Sequence, residues 1–309
     1  MPNKDYDVVI IGGGPAGMAA GLYASRGGLK TIILEKGLKG GPYSITDEIE
    51  NYPGFPKGIK TEELMDRFHA QATRFGATVK NFSPVTTIKL SDKAKTVVLD
   101  DGEEVRARTV IIASGTSPAV LGAKGEKEFT GRGVSYCATC DGPLFRDKKV
   151  LVIGGGNAAV EEAIFLTKFC SSVTIVHRRD KLRADDVLVK RAQANDKIKW
   201  RWNSVLDEVR GDMLVREAVL RDTQTGATET VSTDGIFIFV GTSPETGFLA
   251  DVVERDKNGF VTACDDLQTS VPGIYAAGNC RANSLKQIIW AAAEGARAAV
   301  LAEKYIETL

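Results

Sequence analysis

Apolar and glycine-rich segments alternate near the start of the chain. Residues 6–11 form a short apolar run that predicts a buried strand, and the glycines after it predict a tight loop. An alanine-rich stretch over residues 15–25 predicts a helix, and residues 31–34 predict a second strand that ends at Glu35. This order of strand, loop, helix, strand and acid is typical of a Rossmann nucleotide-binding unit. The pattern therefore predicts an α/β fold with a dinucleotide site.

The first glycine loop has the residue types that a bound pyrophosphate requires. Small residues let the backbone approach the phosphate oxygens, and a helix N-terminus offers free N–H groups to the anion. Glu35 lies 18 residues after Gly17, where a carboxylate can accept hydrogen bonds from the hydroxyl groups of a ribose. The contact residues predicted in the loop are Gly12, Gly14, Pro15, Ala16 and Gly17.

The same pattern returns in the second half of the chain. Residues 149–153 predict a strand, a glycine loop follows, residues 159–169 predict a helix, and residues 172–176 predict the next strand. Here no acid follows; the strand leads into basic residues, which favour a 2′-phosphate and hence NADPH over NADH. The alternative is a solvated basic turn. The residues predicted to contact NADPH are Gly154, Gly156, Asn157, Ala158, His177, Arg178, Arg179 and Arg183.

A closely spaced cysteine pair lies just before the second glycine loop. Cys137 and Cys140 form a C-x-x-C motif that ends 14 residues before Gly154. A dithiol beside a dinucleotide site indicates two-electron transfer between the cysteines and a bound cofactor. The other cysteines, Cys170, Cys264 and Cys280, are expected to be small buried apolar residues.

An acid–base partner is needed for thiol chemistry, and histidine is scarce. The chain has two histidines, His69 and His177. Asp141, directly after Cys140, is therefore the candidate acid, the alternative being a turn residue in the sequence Asp-Gly-Pro.

Two similar segments bracket the second nucleotide unit. The sequence Gly-Thr-Ser-Pro occurs at residues 115–118 and again at residues 241–244. They enclose an inserted domain, predicted at residues 118–244, within a discontinuous domain of residues 1–117 and 245–309. We expect the two segments to be crossovers on which the inserted domain moves; the alternative is two unrelated turns.

Composition and charge narrow the classes of partner. Lys plus Arg equals Asp plus Glu, 40 each, so the sequence gives no indication of nucleic-acid binding or of an anionic membrane. The sequence contains no run of about 18 apolar residues, so we expect no transmembrane helix. Asp5 and Asp7 flank the first apolar run and glycines interrupt it, which is unlike a signal peptide. A cytoplasmic location is expected.

Several motifs together resemble those of the low-molecular-weight thioredoxin reductases, and the similarity extends through nearly the whole chain. The matching segments are residues 12–17 with Glu35, residues 50–54, 135–142, 154–157, 160–163, 177–180 with 183–184, and 276–278. The resemblance implies two Rossmann-like, three-layer ββα domains, with an NADPH domain inserted into an FAD domain. It also implies a homodimer, rotation of the domains between half-reactions, and electron flow from NADPH through FAD and Cys137–Cys140 to a thioredoxin or thioredoxin-like protein.

The resemblance also assigns residues to the cofactor. Cys140 should lie against the flavin, and Asp141 matches the family's acid. The residues implied to contact FAD are Gly12, Gly14, Pro15, Ala16, Gly17, Glu35, Gly41, Asn51, Ala113, Gly115, Gly278, Asn279, Lys286 and Gln287.

The sequence departs from the family pattern near the expected flavin. Pro42 stands where Gln is usual, Asn279 where Asp is usual, and Ser114 where Thr is common; Lys286 replaces Arg. These departures leave other electron donors open, including ferredoxin. A dithiol oxidase with the same fold is a second enzyme alternative, and a non-catalytic redox sensor is an alternative of another class.

Overall fold

The computed structural model describes residues 5–37, 48–91, 94–249 and 251–309. The first part of the chain contains β1 Asp5–Ile11, α1 Pro15–Arg26, β2 Thr31–Leu34, β3 Glu48–Ile49, β4 Ile59–Lys60, α2 Thr61–Arg74, β5 Thr78–Lys80, β6 Val85–Leu90, β7 Lys95–Leu99, β8 Glu104–Ile112 and β9 Thr116–Pro118. Then follow α3 Glu126–Phe129, β10 Val134–Ser135, α4 Ala138–Asp141, β11 Lys149–Gly154, α5 Asn157–Leu166, β12 Ser172–Val176, α6 Asp186–Gln193 and β13 Ile198–Arg201. The remaining elements are β14 Ser204–Gly211, β15 Val215–Asp222, β16 Thr228–Ser232, β17 Gly235–Phe239, β18 Thr242–Pro244, β19 Ile274–Ala276 and α7 Ile288–Glu307.

The chain folds as two compact units. The first unit contains the described residues up to Ser117 together with Ser243–Leu309, and the second contains Pro118–Thr242. Along the described residues the chain passes from one unit to the other at Ser117–Pro118 and at Thr242–Ser243, each time within a repeated Gly-Thr-Ser-Pro segment. These segments are not simple turns, because β9 and β18 pair as a two-stranded sheet.

The first unit is built on a mixed sheet in the order β5-β2-β1-β8-β7-β6, with β19 also paired to β8. Strands β5, β2, β1, β8 and β19 are parallel, whereas β6 and β7 pair antiparallel. Alternate residues of β1 face opposite sides, as a strand requires. Val8 and Ile10 pack into a core with residues of α1 and α7, while Val9 and Ile11 pack into a second core on the other face.

The second unit has three layers. Its central parallel sheet has the order β10-β17-β11-β12-β13, and a separate antiparallel sheet has the order β14-β15-β16. Val152 packs with residues of α5 and α6, whereas Ile153, the next residue, packs against residues of the antiparallel sheet. The predicted α/β fold is confirmed.

Two helix boundaries differ from those predicted. The helix expected at residues 159–169 begins at Asn157, because Gly156 is extended and acts as its N-cap, and it ends at Leu166. The C-terminal helix is Ile288–Glu307. Lys286 has a φ of 58° and Gln287 is extended, so the helix cannot begin before Ile288. Within the described ranges, none of the helices has the length and apolar composition needed to cross a membrane.

Candidate active site

The first glycine loop lies at the carboxyl ends of β1 and β8. Gly12 has a φ of 107°, and a Cβ atom there would overlap the Ala113 carbonyl group. A Cβ atom on Gly17 would overlap the Gly12 carbonyl group. The turn from β1 into α1 therefore packs against the segment 113–115, which follows β8. The N-terminus of α1 faces the same edge of the sheet.

The side chain of Glu35 holds this loop in place through a hydrogen bond to its backbone. Its carboxylate is buried and accepts hydrogen bonds from the backbone N–H groups of Gly13, at 2.6 Å, and Gly37, at 3.1 Å. Each oxygen keeps a further lone pair, so the group can hold the loop and still accept a ribose hydroxyl.

A second turn, at Gly278 in the C-terminal part of the chain, lies against the first glycine loop. We call the loop at residues 12–17 and this turn the first nucleotide cradle. Gly278 follows β19, and its N–H donates to Glu294 Oε2 at 2.7 Å. Glu294 is buried; its Oε1 accepts from Trp290 Nε1 at 2.8 Å and from the Arg281 guanidinium group. Next to Gly278, the Asn279 Oδ1 atom is buried and has no hydrogen-bond partner among the described residues. A buried acceptor without a protein donor fits a site that a bound polar molecule completes.

The remaining residues of the predicted FAD site lie in different surroundings. Asn51 Nδ2 donates to Gln287 Oε1 at 2.9 Å, so these two residues are brought together across a long sequence separation. The Lys286 ammonium group lies 4.8 Å from the centre of the Phe260 ring. Gly115 has a φ of 69°, and its carbonyl accepts from the backbone N–H of Glu245 at 3.1 Å. Gly41 and Pro42 lie outside the described residues.

The second glycine loop, residues 154–158, resembles the first, but His177 takes the position that Glu35 has there. We call this loop and the segment 177–183 the second nucleotide cradle. Gly154 has a φ of 152°, and a Cβ atom on Gly156 would meet nothing within 4 Å, which leaves open space at the N-terminus of α5, where Ala158 is exposed. The His177 ring lies against Gly155, just as the Glu35 carboxylate lies against Gly13. Burial, helped by the charges of nearby arginines, lowers the pKa of His177 below 6.5. The imidazole is therefore neutral at pH 7, and no negative charge occupies this position.

The arginine segment after His177 is fixed to the rest of the unit through its backbone. The N–H of Arg183 donates to the Gly155 carbonyl at 2.7 Å. The carbonyl of Arg179 accepts from the N–H of Asn203 at 3.3 Å, and that of Arg178 accepts from the Thr223 hydroxyl at 3.3 Å. The side chains of Arg178, Arg179 and Arg183 are exposed.

The redox pair lies in the same unit. Cys137 and Cys140 form a disulfide with a Cα–Cα distance of 5.3 Å, and Asp141 follows at the end of α4. Cys137 Sγ accepts the N–H of Cys140 at 3.2 Å and lies 3.3 Å from the Thr139 hydroxyl. Cys137 is thereby the N-cap residue of α4, and its sulfur accepts a hydrogen bond from that helix.

A match to a known protein family covers both nucleotide cradles and the disulfide. The model of the pyridine nucleotide-disulphide oxidoreductases matches residues 6–295. The chain belongs to this family.

Relatives of known name place the chain more narrowly within the pyridine nucleotide-disulphide oxidoreductases. A thioredoxin reductase of Peptoclostridium litorale is 45% identical over 310 residues, which cover 98% of each chain. The crystal structure of Lactococcus lactis thioredoxin reductase gives a TM-score of 0.96 at 42% identity, covering 98% of this chain and 100% of that one. The T. acidophilum thioredoxin reductase structure gives a TM-score of 0.93 at 36% identity, with 99% of each chain covered. The resemblance to the thioredoxin reductases is confirmed.

The expectation for the remaining cysteines of this oxidoreductase is partly wrong. Cys170 and Cys280 are buried, and burial raises the pKa of the Cys170 thiol to about 11 and also raises that of Cys280, so neither is a reactive thiolate. Cys264 is exposed. It lies in a loop before β19, and a loop has no periodic pattern of apolar residues from which burial could be predicted.

Sequence reasoning missed Glu126, a buried carboxylate near the redox disulfide. Its oxygens accept the N–H groups of Leu121, Gly122 and Ala123 at 2.9, 2.6 and 3.0 Å, and the Tyr136 hydroxyl at 2.6 Å. Burial and the bond to Glu126 raise the pKa of Tyr136 to about 12. Glu126 thus joins the segment after β9 to the residue that precedes Cys137. No local motif marks it, because its partners are set by the packing of α3.

Replacing Glu126 with alanine is expected to destabilise the second unit strongly. The change leaves four donors without their acceptor, which costs about 3 kcal/mol of unfolding free energy. A lower urea midpoint would show the effect. Glu128→Ala is the matched control, because Glu128 is exposed on the same short helix and its loss should cost less than about 0.5 kcal/mol. Equal midpoints for the two variants would contradict the role given to Glu126.

Proposed function

We propose that the protein is an NADPH-dependent thioredoxin reductase. Two electrons pass from NADPH through FAD to the Cys137–Cys140 disulfide, and from there to the disulfide of a thioredoxin or a thioredoxin-like protein. The observation that carries the proposal is a C-x-x-C disulfide beside one nucleotide cradle, in a chain that has a second, separate cradle and matches thioredoxin reductases over nearly its whole length.

The first cradle fits FAD. The glycine loop at Gly12–Gly17 and the N-terminus of α1 suit a pyrophosphate, and the buried Asn279 Oδ1 lacks a donor that a polar cofactor can supply. Bound FAD supplies a group that accepts a hydride and passes two electrons on. The residues proposed to hold it are Gly12, Gly14, Pro15, Ala16, Gly17, Glu35, Gly41, Asn51, Ala113, Gly115, Gly278, Asn279, Lys286 and Gln287.

The second cradle fits NADPH better than NADH. His177 occupies the place that Glu35 has in the first unit and is neutral, so it does not repel a 2′-phosphate. Guanidinium groups pair with phosphate through two parallel hydrogen bonds. The residues proposed to bind the dinucleotide are Gly154, Gly156, Asn157, Ala158, His177, Arg178, Arg179 and Arg183.

The cysteines then carry out two exchange steps. The thiolate of one cysteine attacks a sulfur of the partner's disulfide and forms a mixed disulfide, and the partner's other sulfur leaves as a thiolate that takes up a proton. The second cysteine attacks the mixed disulfide, which restores Cys137–Cys140 and releases the reduced partner. The Asp141 carboxyl group, next to Cys140, is proposed to hold and return the proton.

Movement between the units follows from where the redox groups lie. The cysteines and the proposed nicotinamide site belong to the second unit, yet both must reach one flavin held by the first. We propose that the second unit rotates on the paired strands β9 and β18, so that the two groups approach the flavin in turn. By similarity to its relatives, the protein is proposed to act as a homodimer.

An anaerobic titration tests the whole electron path. NADPH is added to the purified flavoprotein, followed by oxidised thioredoxin, while the flavin absorbance is recorded. Bleaching by NADPH and recovery on adding thioredoxin would support the proposal. Bleaching by reduced ferredoxin but not by NADPH would overturn the assignment of the donor, and bleaching by NADPH without recovery by thioredoxin would overturn the assignment of the acceptor.

A further inference from the structure

A reciprocal pair of hydrogen bonds joins the second glycine loop to the end of the arginine segment. Asn157 Nδ2 donates to Asp185 Oδ2 at 2.8 Å, and the backbone N–H of Asp185 donates to Asn157 Oδ1 at 2.8 Å. Both ends of the Asn157 amide are therefore used within the protein. Although Asn157 belongs to the glycine-loop motif, its side chain is directed at Asp185.

The Asp185 side chain does not cap the helix that follows it. Asp185 is the N-cap residue of α6, but its side chain makes no capping hydrogen bond, and the residue is exposed. Aspartate at this position usually accepts an N–H of the helix that it precedes. Here the carboxylate reaches back to Asn157 instead, at the first turn of α5.

The segment between these contacts carries three arginines. It leaves β12 at His177 and reaches α6 at Asp185, and near its C-terminal end the Arg183 N–H donates to the Gly155 carbonyl. The Asn157–Asp185 pair closes the far end. A flexible segment would have to be ordered when its guanidinium groups engage a phosphate, and that ordering would lower affinity; a closed segment avoids the loss.

We propose that Asn157 and Asp185 form a clamp that positions the arginines and thereby sets the preference for a 2′-phosphorylated dinucleotide. The clamp acts through Arg178, Arg179 and Arg183, so Asp185 and the side-chain amide of Asn157 are positioning groups, whereas the backbone of Asn157 at the start of α5 remains part of the proposed dinucleotide site. The inference rests on the proposed use of NADPH. The clamp predicts that Asp185, although negatively charged, increases the affinity of the protein for the 2′-phosphate. It does so because it fixes the positions of the arginines.

Equilibrium binding of two nucleotide fragments tests the clamp without turnover. The affinities of 2′,5′-ADP and 5′-AMP are measured by calorimetry on the purified flavoprotein and its variants. Asp185→Ala and Asn157→Ala are each expected to weaken 2′,5′-ADP binding by about five- to tenfold, the equivalent of one or two hydrogen bonds. Binding of 5′-AMP to the Asp185→Ala variant should change less than about twofold. The double variant should lose no more than either single variant, since the two residues act as one unit.

Two further variants separate geometry from charge. Asp185→Asn keeps an acceptor for Asn157 Nδ2 and removes the charge, so it should bind 2′,5′-ADP as the unmodified protein does. Asp186→Ala removes an exposed carboxylate one residue away and should likewise have no effect. Unchanged or tighter binding by Asp185→Ala, or losses that add in the double variant, would overturn the clamp while leaving the NADPH assignment intact. If the unmodified protein does not prefer 2′,5′-ADP to 5′-AMP, both the clamp and the NADPH assignment fail.

Discussion

Cys140→Ser is expected to lower thioredoxin-linked turnover by more than about a thousandfold while leaving reduction of the flavin by NADPH intact. Serine has no thiol, so the disulfide with Cys137 cannot form and cannot accept electrons. In the anaerobic titration, NADPH should still bleach the flavin, and thioredoxin should no longer restore its absorbance. The measurement therefore separates the two half-reactions within one sample.

Cys264→Ser provides the matched control for this result. Cys264 is exposed, as Cys140 is, but belongs to the first unit and to no proposed site. Its replacement should leave both half-reactions unchanged. If Cys140→Ser still reduced thioredoxin at an appreciable rate, the route through the Cys137–Cys140 disulfide would be wrong.

The double replacement of Arg178 and Arg179 by alanine is expected to raise the KM for NADPH by about a hundredfold. Each guanidinium group that pairs with a phosphate contributes about 1.5 kcal/mol, or roughly tenfold. The KM for NADH should change little, because NADH has no 2′-phosphate. With kcat nearly unchanged, the ratio of kcat/KM for the two dinucleotides should fall by nearly two orders of magnitude.

Arg216→Ala controls for the general loss of positive charge. Arg216 is an exposed arginine of the same unit, on β15, where its guanidinium group lies 3.7 Å from Asp212. Steady-state kinetics with both dinucleotides should match those of the unmodified protein. An equal loss of affinity for NADPH and NADH in the double variant would contradict 2′-phosphate recognition and would indicate a damaged dinucleotide cradle.

The sequence by itself determined the parts of this protein whose signals are local. A strand, a glycine loop and a helix lie within about 30 residues of each other in a Rossmann unit, and their order is readable from apolar runs and small residues. The strands at residues 31–34 and 172–176 accordingly have the bounds that were predicted. The Cys137–Cys140 pair is equally local, because a separation of three residues already allows a disulfide.

Only the tertiary structure decided where three carboxylates, two of them buried, make their contacts. Glu126, Glu294 and Asp185 accept hydrogen bonds from groups that become neighbours through packing, such as Tyr136, Gly278 and Asn157. A charged residue in a sequence is ordinarily read as solvated, and no spacing rule indicates that a particular one is buried and paired. The same holds for His177, whose neutral state depends on burial against Gly155. Local spacing thus specified the two cradles and the disulfide, whereas the groups that hold them in position are products of long-range packing, which a one-dimensional pattern does not encode.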